Sequence, residues 1–328
     1  MENKAKVGID FINTIPKQIL TSLIEQYSPN NGEIELVVLY GDNFLRFKNS
    51  VDAIGAKVED LGYGFGILII KVNDLNRIIE LEGLQYIELP KILYTSAYDS
   101  NRASCIPSVW NNYNLTGEGI LVGFLDTGID YTHNAFKDAD GNTRIEYIYD
   151  LENGVVYDKN KINEALKSED PFSVVPEIDL SGHGTHVAGI ACAGGNINFD
   201  NYGVAYKSSI AMVKITGENS LRAALSTQLM RGLKFLMDKS NEINKPLVVN
   251  ISLSTNDGSH NGSSLLEKYI QTFTQLQKAV IVVAAGNEGN SAHHVGGKMK
   301  KEEDLDLNIG DGEKGIILDF FKPVLVDV

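Results

Sequence analysis

The feature of this 328-residue sequence that most constrains its fold is a series of short runs, in its second half, made almost entirely of apolar residues. Such runs predict strands that are buried on both faces, which is typical of parallel sheets covered by helices. Segments with helical spacing separate the runs, so we predict an α/β domain with a doubly wound parallel sheet. The predicted strands are Ile120–Leu125, Ile210–Ile215, Leu247–Ile251 and Val280–Ala284, and the predicted helices begin near Thr185 and cover Leu221–Lys239 and Leu265–Lys278.

The first part of the chain shows a different order of elements. After a predicted helix over residues 14–27, the periodicity indicates a strand, a helix, two strands joined at Gly62-Tyr63-Gly64, a second helix and a last strand. This β-α-β-β-α-β order predicts a small α+β domain with both helices on one face of an antiparallel sheet. The six elements are Ile34–Tyr40, Phe44–Ile54, Ala56–Leu61, Phe65–Val72, Leu75–Leu81 and Leu84–Leu89.

These patterns divide the chain into three predicted units. Residues 1–96 form the small α+β domain and residues 97–300 form the parallel α/β domain. Residues 301–328 begin a β-rich segment, because apolar residues alternate there on both sides of Gly310-Asp311-Gly312. The stretch Tyr94–Tyr113 is polar and irregular, so it is predicted to be the linker between the first two units.

The charge balance argues against a nucleic-acid partner. The chain has 29 Lys and Arg against 43 Asp and Glu, a formal net charge of −14, whereas phosphate binding relies on clustered basic residues. The N-terminal residues lack the continuous apolar segment of a secretory signal, and no apolar run approaches the roughly 20 residues that span a bilayer. We therefore expect a protein without that export signal and without a membrane span. Cys105 and Cys192 imply no disulfide framework.

Polar residues follow three of the predicted strands at the points where the strands end. Asp126 follows the first, Ser252-Leu253-Ser254 follows the third, and Asn287 comes shortly after the fourth. Because ligands bind beyond the carboxyl ends of parallel strands, we expect these residues along one edge of the sheet. His183 lies between two glycines at the predicted start of a helix, where the backbone is able to approach its neighbours closely.

Several functions compete for these residues. His183 and His186 have a spacing that two zinc ligands could use, but the sequence offers no third ligand nearby and no glutamate between them. Plain helix packing explains the glycines and leaves His183 unexplained. Asp126-Thr127-Gly128 matches the local motif of an aspartic protease, yet a second such motif is absent and the parallel α/β pattern does not suit that class. We predict no metal and no cofactor.

Four blocks of sequence, taken in order, resemble the subtilisin-like serine proteases. They are Phe124–Asp130, Gly182–Gly189, Val249–Ser254 and Val282–Gly289. The resemblance covers about Leu115–Ser291, and the first domain looks like the inhibitory prodomain of that family. Within the family, the sequence is most similar to the clostridial Csp germination proteases.

The resemblance implies a serine endopeptidase that hydrolyses peptide bonds through an acyl-enzyme. Asp126 would accept the ring N–H of His183, and His183 would be the general base. Asn287 would donate its amide to the oxyanion, and the Ser252–Ser254 segment would bind an extended substrate through its backbone. The implied partners are the protein's own prodomain and a protein substrate, the zymogen of a spore cortex hydrolase, with an intracellular or spore-associated location.

The sequence also departs from that family. The nucleophile block, Gly-Thr-Ser followed by a small residue, occurs nowhere in the 328 residues. We expect that the sequence is an N-terminal portion, that the serine lies beyond it, and that this chain alone has no peptidase activity. The alternative is a non-catalytic subtilase-like pseudoprotease that acts as a binding or regulatory protein. Asn134-Ala135 stands where an aspartate ligand of calcium is common in the family, so we expect no required calcium there.

Overall fold

The computed structural model describes residues 32–41, 43–90, 92–95, 104–215, 224–258, 261–276 and 279–289. The predicted helix over 14–27 and the predicted β-rich segment 301–328 lie outside these residues. The strands are β1 (Glu33–Tyr40), β2 (Lys57–Gly62), β3 (Phe65–Lys71), β4 (Leu84–Glu88), β5 (Ile92–Thr95), β6 (Leu121–Asp126), β7 (Ile145–Asp150), β8 (Val155–Asp158), β9 (Ser209–Lys214), β10 (Ala224–Leu225), β11 (Leu247–Ile251), β12 (Leu253–Ser254) and β13 (Ala279–Val283). The α-helices are α1 (Phe44–Ala53), α2 (Ile106–Tyr113), α3 (Lys159–Leu166), α4 (Pro171–Val174), α5 (His183–Cys192), α6 (Ser226–Glu242) and α7 (Leu265–Leu276), and a 3-10 helix covers Val72–Glu80.

The first four strands form an antiparallel sheet in the order β2-β3-β1-β4. One face of the sheet packs on α1 and the 3-10 helix and buries Leu36, Phe47 and Leu68. The opposite face packs on α6 and α7 and buries Leu61 and Phe65. The predicted β-α-β-β-α-β order is confirmed, with a 3-10 helix as the second helical element.

A six-stranded sheet forms the larger α/β unit, in the order β13-β11-β6-β9-β7-β8. All its neighbouring strands are parallel except β7 and β8, which form an antiparallel pair at one edge. The predicted doubly wound parallel sheet is confirmed, and each of its four predicted strands is present. Strands β7 and β8 were not predicted from the sequence. In β7, the charged Glu146 and the two tyrosines Tyr147 and Tyr149 interrupt the aliphatic residues, so the strand lacks the continuous aliphatic run that revealed its neighbours.

Helix α6 lies directly on the central strand β6. A Cβ atom on Gly123 of β6 would lie 2.7 Å from Leu236, and a Cβ on Gly232 of α6 would lie 2.4 Å from Leu125. Glycine at both positions therefore allows the helix to reach the strand. The predicted start of this helix at Leu221 is wrong, since residues 224–225 form β10 and α6 begins at Ser226. Among the described residues, no helix combines the length and the apolar character needed to cross a membrane.

The predicted irregular linker contains two regular elements. Strand β5 lies between β10 and β12 and is antiparallel to both. Helix α2 covers Ile106–Tyr113, with Pro107 in its first turn, where proline is compatible with a helix. Trp110 anchors α2, because its indole N–H donates to the carbonyl oxygen of Val204 at 2.8 Å and its ring packs edge-on against Tyr206. The polar composition of the segment concealed this helix.

Charged groups join the small domain to α6. The guanidinium of Arg231 donates two hydrogen bonds to Glu35 of β1, at 2.9 and 3.0 Å, and one to Glu59 of β2, at 2.5 Å. The Arg231 side chain is 16% exposed, so the contact is largely shielded from water. The two parallel hydrogen bonds between the Arg231 guanidinium and the Glu35 carboxylate fix the relative orientation of these groups as well as the distance between them.

Replacing Arg231 with Ala is expected to lower the free energy of unfolding by about 2 kcal/mol, because the change leaves Glu35 and Glu59 partly buried without their counter-charge. Urea denaturation of the 328-residue chain measures the effect. Lys234→Ala is the control, since Lys234 pairs with Asp238 within α6 and should change stability by less than about 0.5 kcal/mol. Equal losses in the two variants would contradict the role assigned to Arg231.

Candidate active site

Asp126 and His183, which the sequence analysis took from separate motifs, meet at the carboxyl edge of the large sheet. Asp126 ends β6 and is fully buried, whereas His183 begins α5 with its side chain 15% exposed. His183 Nδ1 lies 2.6 Å from Asp126 Oδ1. With a carboxylate as its partner, Nδ1 carries the proton and donates it. Nε2 is then the ring nitrogen that is able to accept a proton from another group.

Gly184 allows α5 to come this close to the loop after β6, and Gly128 allows the segment before α5 to pack on the same loop. A Cβ on Gly184 would lie 2.2 Å from the carbonyl oxygen of Gly128 and 3.1 Å from Asp126 Oδ1. Gly128 has a φ of 127°, which few other residues adopt. A side chain at Gly184 would force the helix and the loop apart and lengthen the hydrogen bond between Asp126 and His183. A Cβ on Gly128 would instead lie 2.6 Å from Glu177 Oε1, in the segment that leads into the helix.

Asp179, which the sequence analysis missed, ties the two elements together. Its Oδ1 accepts hydrogen bonds from Thr127 Oγ1 at 2.8 Å and from Gly182 N at 3.0 Å. Its Oδ2 accepts from the backbone N of Thr185 at 2.8 Å and from Thr185 Oγ1 at 2.6 Å. One carboxylate therefore holds the loop after β6 and the first turn of α5. Its only sequence signal is an acidic residue shortly before the start of a helix.

A second missed carboxylate, that of Glu177, lies buried beside the same loop. Its side chain is 1% exposed, and its Oε2 lies 3.4 Å from the Nζ of Lys214. Burial raises the pKa of Glu177 to about 7, with Asp150 and Asp179 adding to the increase and Lys214 opposing it. Both partners are hard to find from sequence, because one lies in a loop and the other ends an apolar strand.

The predicted substrate-binding segment borders β5. The backbones of Leu253 and Ser254 pair with Thr95 and Tyr94 in an antiparallel arrangement. Ser252 is buried, and its hydroxyl donates to Asn250 Oδ1 at 2.8 Å. The backbone of this segment is thus engaged with an extended strand, and the Ser252 side chain stabilises the segment itself.

Asn287 is exposed in the loop after β13. Strand β13 pairs with β11 and β11 with β6, so this loop lies two strands from Asp126 along the same edge of the sheet. Gly286, with a φ of 86°, comes close to the substrate-binding segment, since a Cβ there would lie 3.1 Å from the Cβ of Ser254. All the site residues taken from the sequence lie along this edge, and hydrogen bonding joins Asp126 to His183.

The donor groups near the site do not suit a metal ion. Within the described ranges, no three His, Cys, Asp or Glu side chains are grouped to hold one. His186 is exposed on the first turn of α5. At Asn134-Ala135, the buried guanidinium of Arg144 donates to the carbonyl oxygens of Ala135 at 2.7 Å and of Ser208 at 2.9 Å. A fixed positive charge at these carbonyls does not fit a calcium ion.

Two parts of the chain match models of known protein families. Residues 117–306, more than half of the chain, match the model of the subtilase family, Peptidase_S8. Residues 3–91 match the model of the Csp protease B prodomain. Among curated proteins, a subtilisin from Bacillus sp. (strain TA39) is 27% identical over 220 residues, which are 66% of this chain and 46% of that protein.

The chain is also similar to solved structures of proteases. The structure of the Clostridium perfringens CspB protease is 99% identical, with a TM-score of 0.64, over 66% of this chain and 47% of that one. Fervidolysin from Fervidobacterium pennivorans, a keratinolytic enzyme related to subtilisin, shares the fold at 19% identity and a TM-score of 0.50, over 80% of this chain and 41% of that one. The chain therefore spans about half the length of these relatives, or less.

Replacing Glu177 with Gln is expected to flatten the pH dependence of stability. Because the pKa of Glu177 is about 7 in the folded state against an ordinary value of 4.5, the folded protein retains a proton that the unfolded chain releases between these values. Its contribution is fully present below pH 4.5 and is lost as the pH rises through 7, a change of about 3 kcal/mol. The Gln variant has no titrating carboxyl group at this position, so it lacks this contribution to the pH dependence.

Urea unfolding at about pH 5 and about pH 8 measures this difference. Glu164→Gln is the control, because Glu164 is 63% exposed and should leave the pH dependence as it is. A Glu177→Gln variant whose stability falls between the two pH values as much as that of the unmodified chain would show that Glu177 is not the group responsible.

Proposed function

This chain belongs to the subtilase family, and we propose that it forms the prodomain and the first part of the catalytic domain of a serine endopeptidase. The observation that carries the proposal is the buried Asp126 carboxylate 2.6 Å from His183 Nδ1. In this proposal residues 1–96 are the prodomain, an intramolecular chaperone and inhibitor. The catalytic domain follows from residue 97.

In the proposed reaction, a serine hydroxyl attacks the carbonyl carbon of the scissile bond while His183 Nε2 takes its proton. His183 then gives the proton to the leaving amine, and a water molecule repeats the sequence on the acyl-enzyme. Asp126 keeps the imidazole oriented and stabilises the imidazolium, and Asn287 donates its amide to the oxyanion. In this proposal the serine belongs to a part of the longer protein outside these 328 residues, and the support for it is that the chain spans only about half the length of its relatives. The 328 residues alone are then inactive.

The position of β5 supports a mode of substrate binding. An extended segment that pairs with β10 on one side and β12 on the other is the arrangement of strand addition, in which backbone hydrogen bonds provide the affinity. We propose that β5 is the end of the prodomain occupying the substrate-binding groove. The chain directly after it is then presented to the active site.

The proposed substrate class rests on resemblance. Because the chain is similar to the CspB protease, we propose that the whole protein activates the zymogen of a spore cortex hydrolase during germination, in an intracellular or spore-associated location. In this proposal the catalytic domain also binds its own prodomain.

The longer protein is expected to cut itself between about Leu93 and Arg102, because β5 holds the first residues of this stretch in the groove. The nucleophile-to-alanine variant and His183→Ala should both stay uncut on a gel, whereas His186→Ala on the same helix should be processed. N-terminal sequencing locates the cut. A cut inside residues 1–90, or processing that persists without the nucleophile, would remove the proposal and favour the pseudoprotease.

Asn287→Ala in the longer protein is expected to lower kcat by about 10²–10³ with little change in KM, the effect known for this oxyanion donor in subtilisin. Asp126→Ala and His183→Ala should remove nearly all turnover, and a double variant should lose little more than either single one. Asn196→Ala, an exposed asparagine outside the site, is the matched control. If Asn287→Ala raises KM alone, Asn287 is not the oxyanion donor.

A further inference from the structure

A buried lysine lies beside the Asp126–His183 pair. Lys214 ends β9, is 5% exposed, and stands in register with Asp126 on β6 and with Asp150 on β7. Residues in register on neighbouring strands point to the same face of a sheet. That face is the one covered by α5, because the residues two positions earlier on the three strands share a core cluster with the helix: Phe124, Met212 and Ile148.

Lys214 fastens a short loop segment to the sheet. Its Nζ donates to the carbonyl oxygen of Ile178 at 2.9 Å and lies 3.4 Å from Glu177 Oε2. The other oxygen of Glu177, Oε1, has no hydrogen-bond partner in the described part of the chain. A Cβ on Gly128 would lie 2.6 Å from that oxygen. The carboxyl group of Glu177 is therefore packed against the loop that follows Asp126.

The fastened segment continues directly to Asp179. The carboxylate of Asp179 binds Thr127, next to Asp126, and also Thr185, in the first turn of α5. A group that fixes residues 177 and 178 thus fixes Asp179, and Asp179 holds the two elements that bring Asp126 and His183 together. No other role of the buried lysine is needed to explain its place at the end of β9.

We propose that Lys214 and Glu177 are positioning residues for the Asp126–His183 pair. The proposal rests on the proposed function, because the pair that they position is the proposed base and its partner. Lys214 supplies the donor that holds the loop at Ile178, and Glu177 supplies the packing against Gly128. Neither residue touches the reacting atoms.

The charges around Glu177 support this arrangement. The titratable groups that face it are Lys214 from β9, Asp150 from β7, Tyr157 from β8, Asp179 from its own loop and Tyr131 from the loop after β6. Burial raises the pKa of Glu177 to about 7, so its neutral form predominates below neutrality. Glutamine is the close mimic of that form.

The test observes the Nδ1 proton of His183 by NMR in the 328-residue chain. A proton in such a hydrogen bond exchanges with water only when the structure opens locally. In Lys214→Met, and in the double variant Lys214→Met/Glu177→Gln, we expect exchange about tenfold faster or more. The double variant has no charge left at this buried pair, so it is expected to fold.

Two further variants separate positioning from general loss of stability. Glu177→Gln alone keeps the size and the neutral form of the side chain, and we expect it to preserve slow exchange of the His183 proton. Lys161→Met is the matched control, because the Lys161 side chain is 45% exposed and pairs with Glu164 on the surface. It should also preserve slow exchange.

A double variant that folds and exchanges this proton as slowly as the unmodified chain would overturn the positioning role, whatever its stability. A double variant that does not fold would show that Lys214 and Glu177 serve the stability of the whole fold, and this result would also count against the proposal. If the unmodified chain shows no protected His183 proton, the hydrogen bond to Asp126 fails, and the proposed function fails with it. The measurement needs no nucleophile, so an inactive longer protein would leave the positioning result standing.

Discussion

The hydrogen bond between His183 and Asp126 requires the N-terminus of a helix to touch the end of a central strand, and much of the larger unit is built around that contact. Asp126 ends a strand that is buried along its whole length, so water does not compete for its carboxylate. The helix reaches it because Gly184 has no side chain to separate the helix from the loop after β6. Asp179 then closes the arrangement by binding both elements.

The small domain packs directly against the larger unit. Its sheet buries apolar side chains on both faces, one against its own helices and the other against α6 and α7. Arg231 aligns this second face through Glu35 and Glu59. The chain then leaves the small domain as β5 and pairs with β10 and β12. The packing of the small domain on α6 and α7 therefore also positions β5 near the edge of the sheet where Asp126 and His183 lie.

The sequence predicted these parts unequally. The central strands were found because burial on both faces leaves a continuous apolar run, whereas β7 was missed because Glu146 and two tyrosines interrupt its aliphatic residues. Helix α2 was missed because its stability comes from the docking of Trp110, which composition does not reveal. The small-domain elements were predicted to within a few residues, since their pattern is local.

The residues of the candidate site were also predicted unequally from the sequence. Asp126 and His183 were predicted because each lies in a short motif with its own glycines, and the structure brings the two together. Asp179, Glu177 and Lys214 act through contacts between separate loops and strands, so no spacing in the sequence identifies them. The oxyanion role of Asn287 stays a prediction.

We propose that Asp126 and His183 activate a serine that lies outside these 328 residues. Labelling with a fluorophosphonate, followed by mass spectrometry of the modified peptide, tests it directly in this chain, in the longer protein and in its His183→Ala variant. We predict one labelled serine in the longer protein, beyond residue 328, with no label in this chain and almost none in the His183→Ala variant. Stoichiometric labelling of a serine within residues 1–328, or labelling that does not depend on His183, would contradict the account.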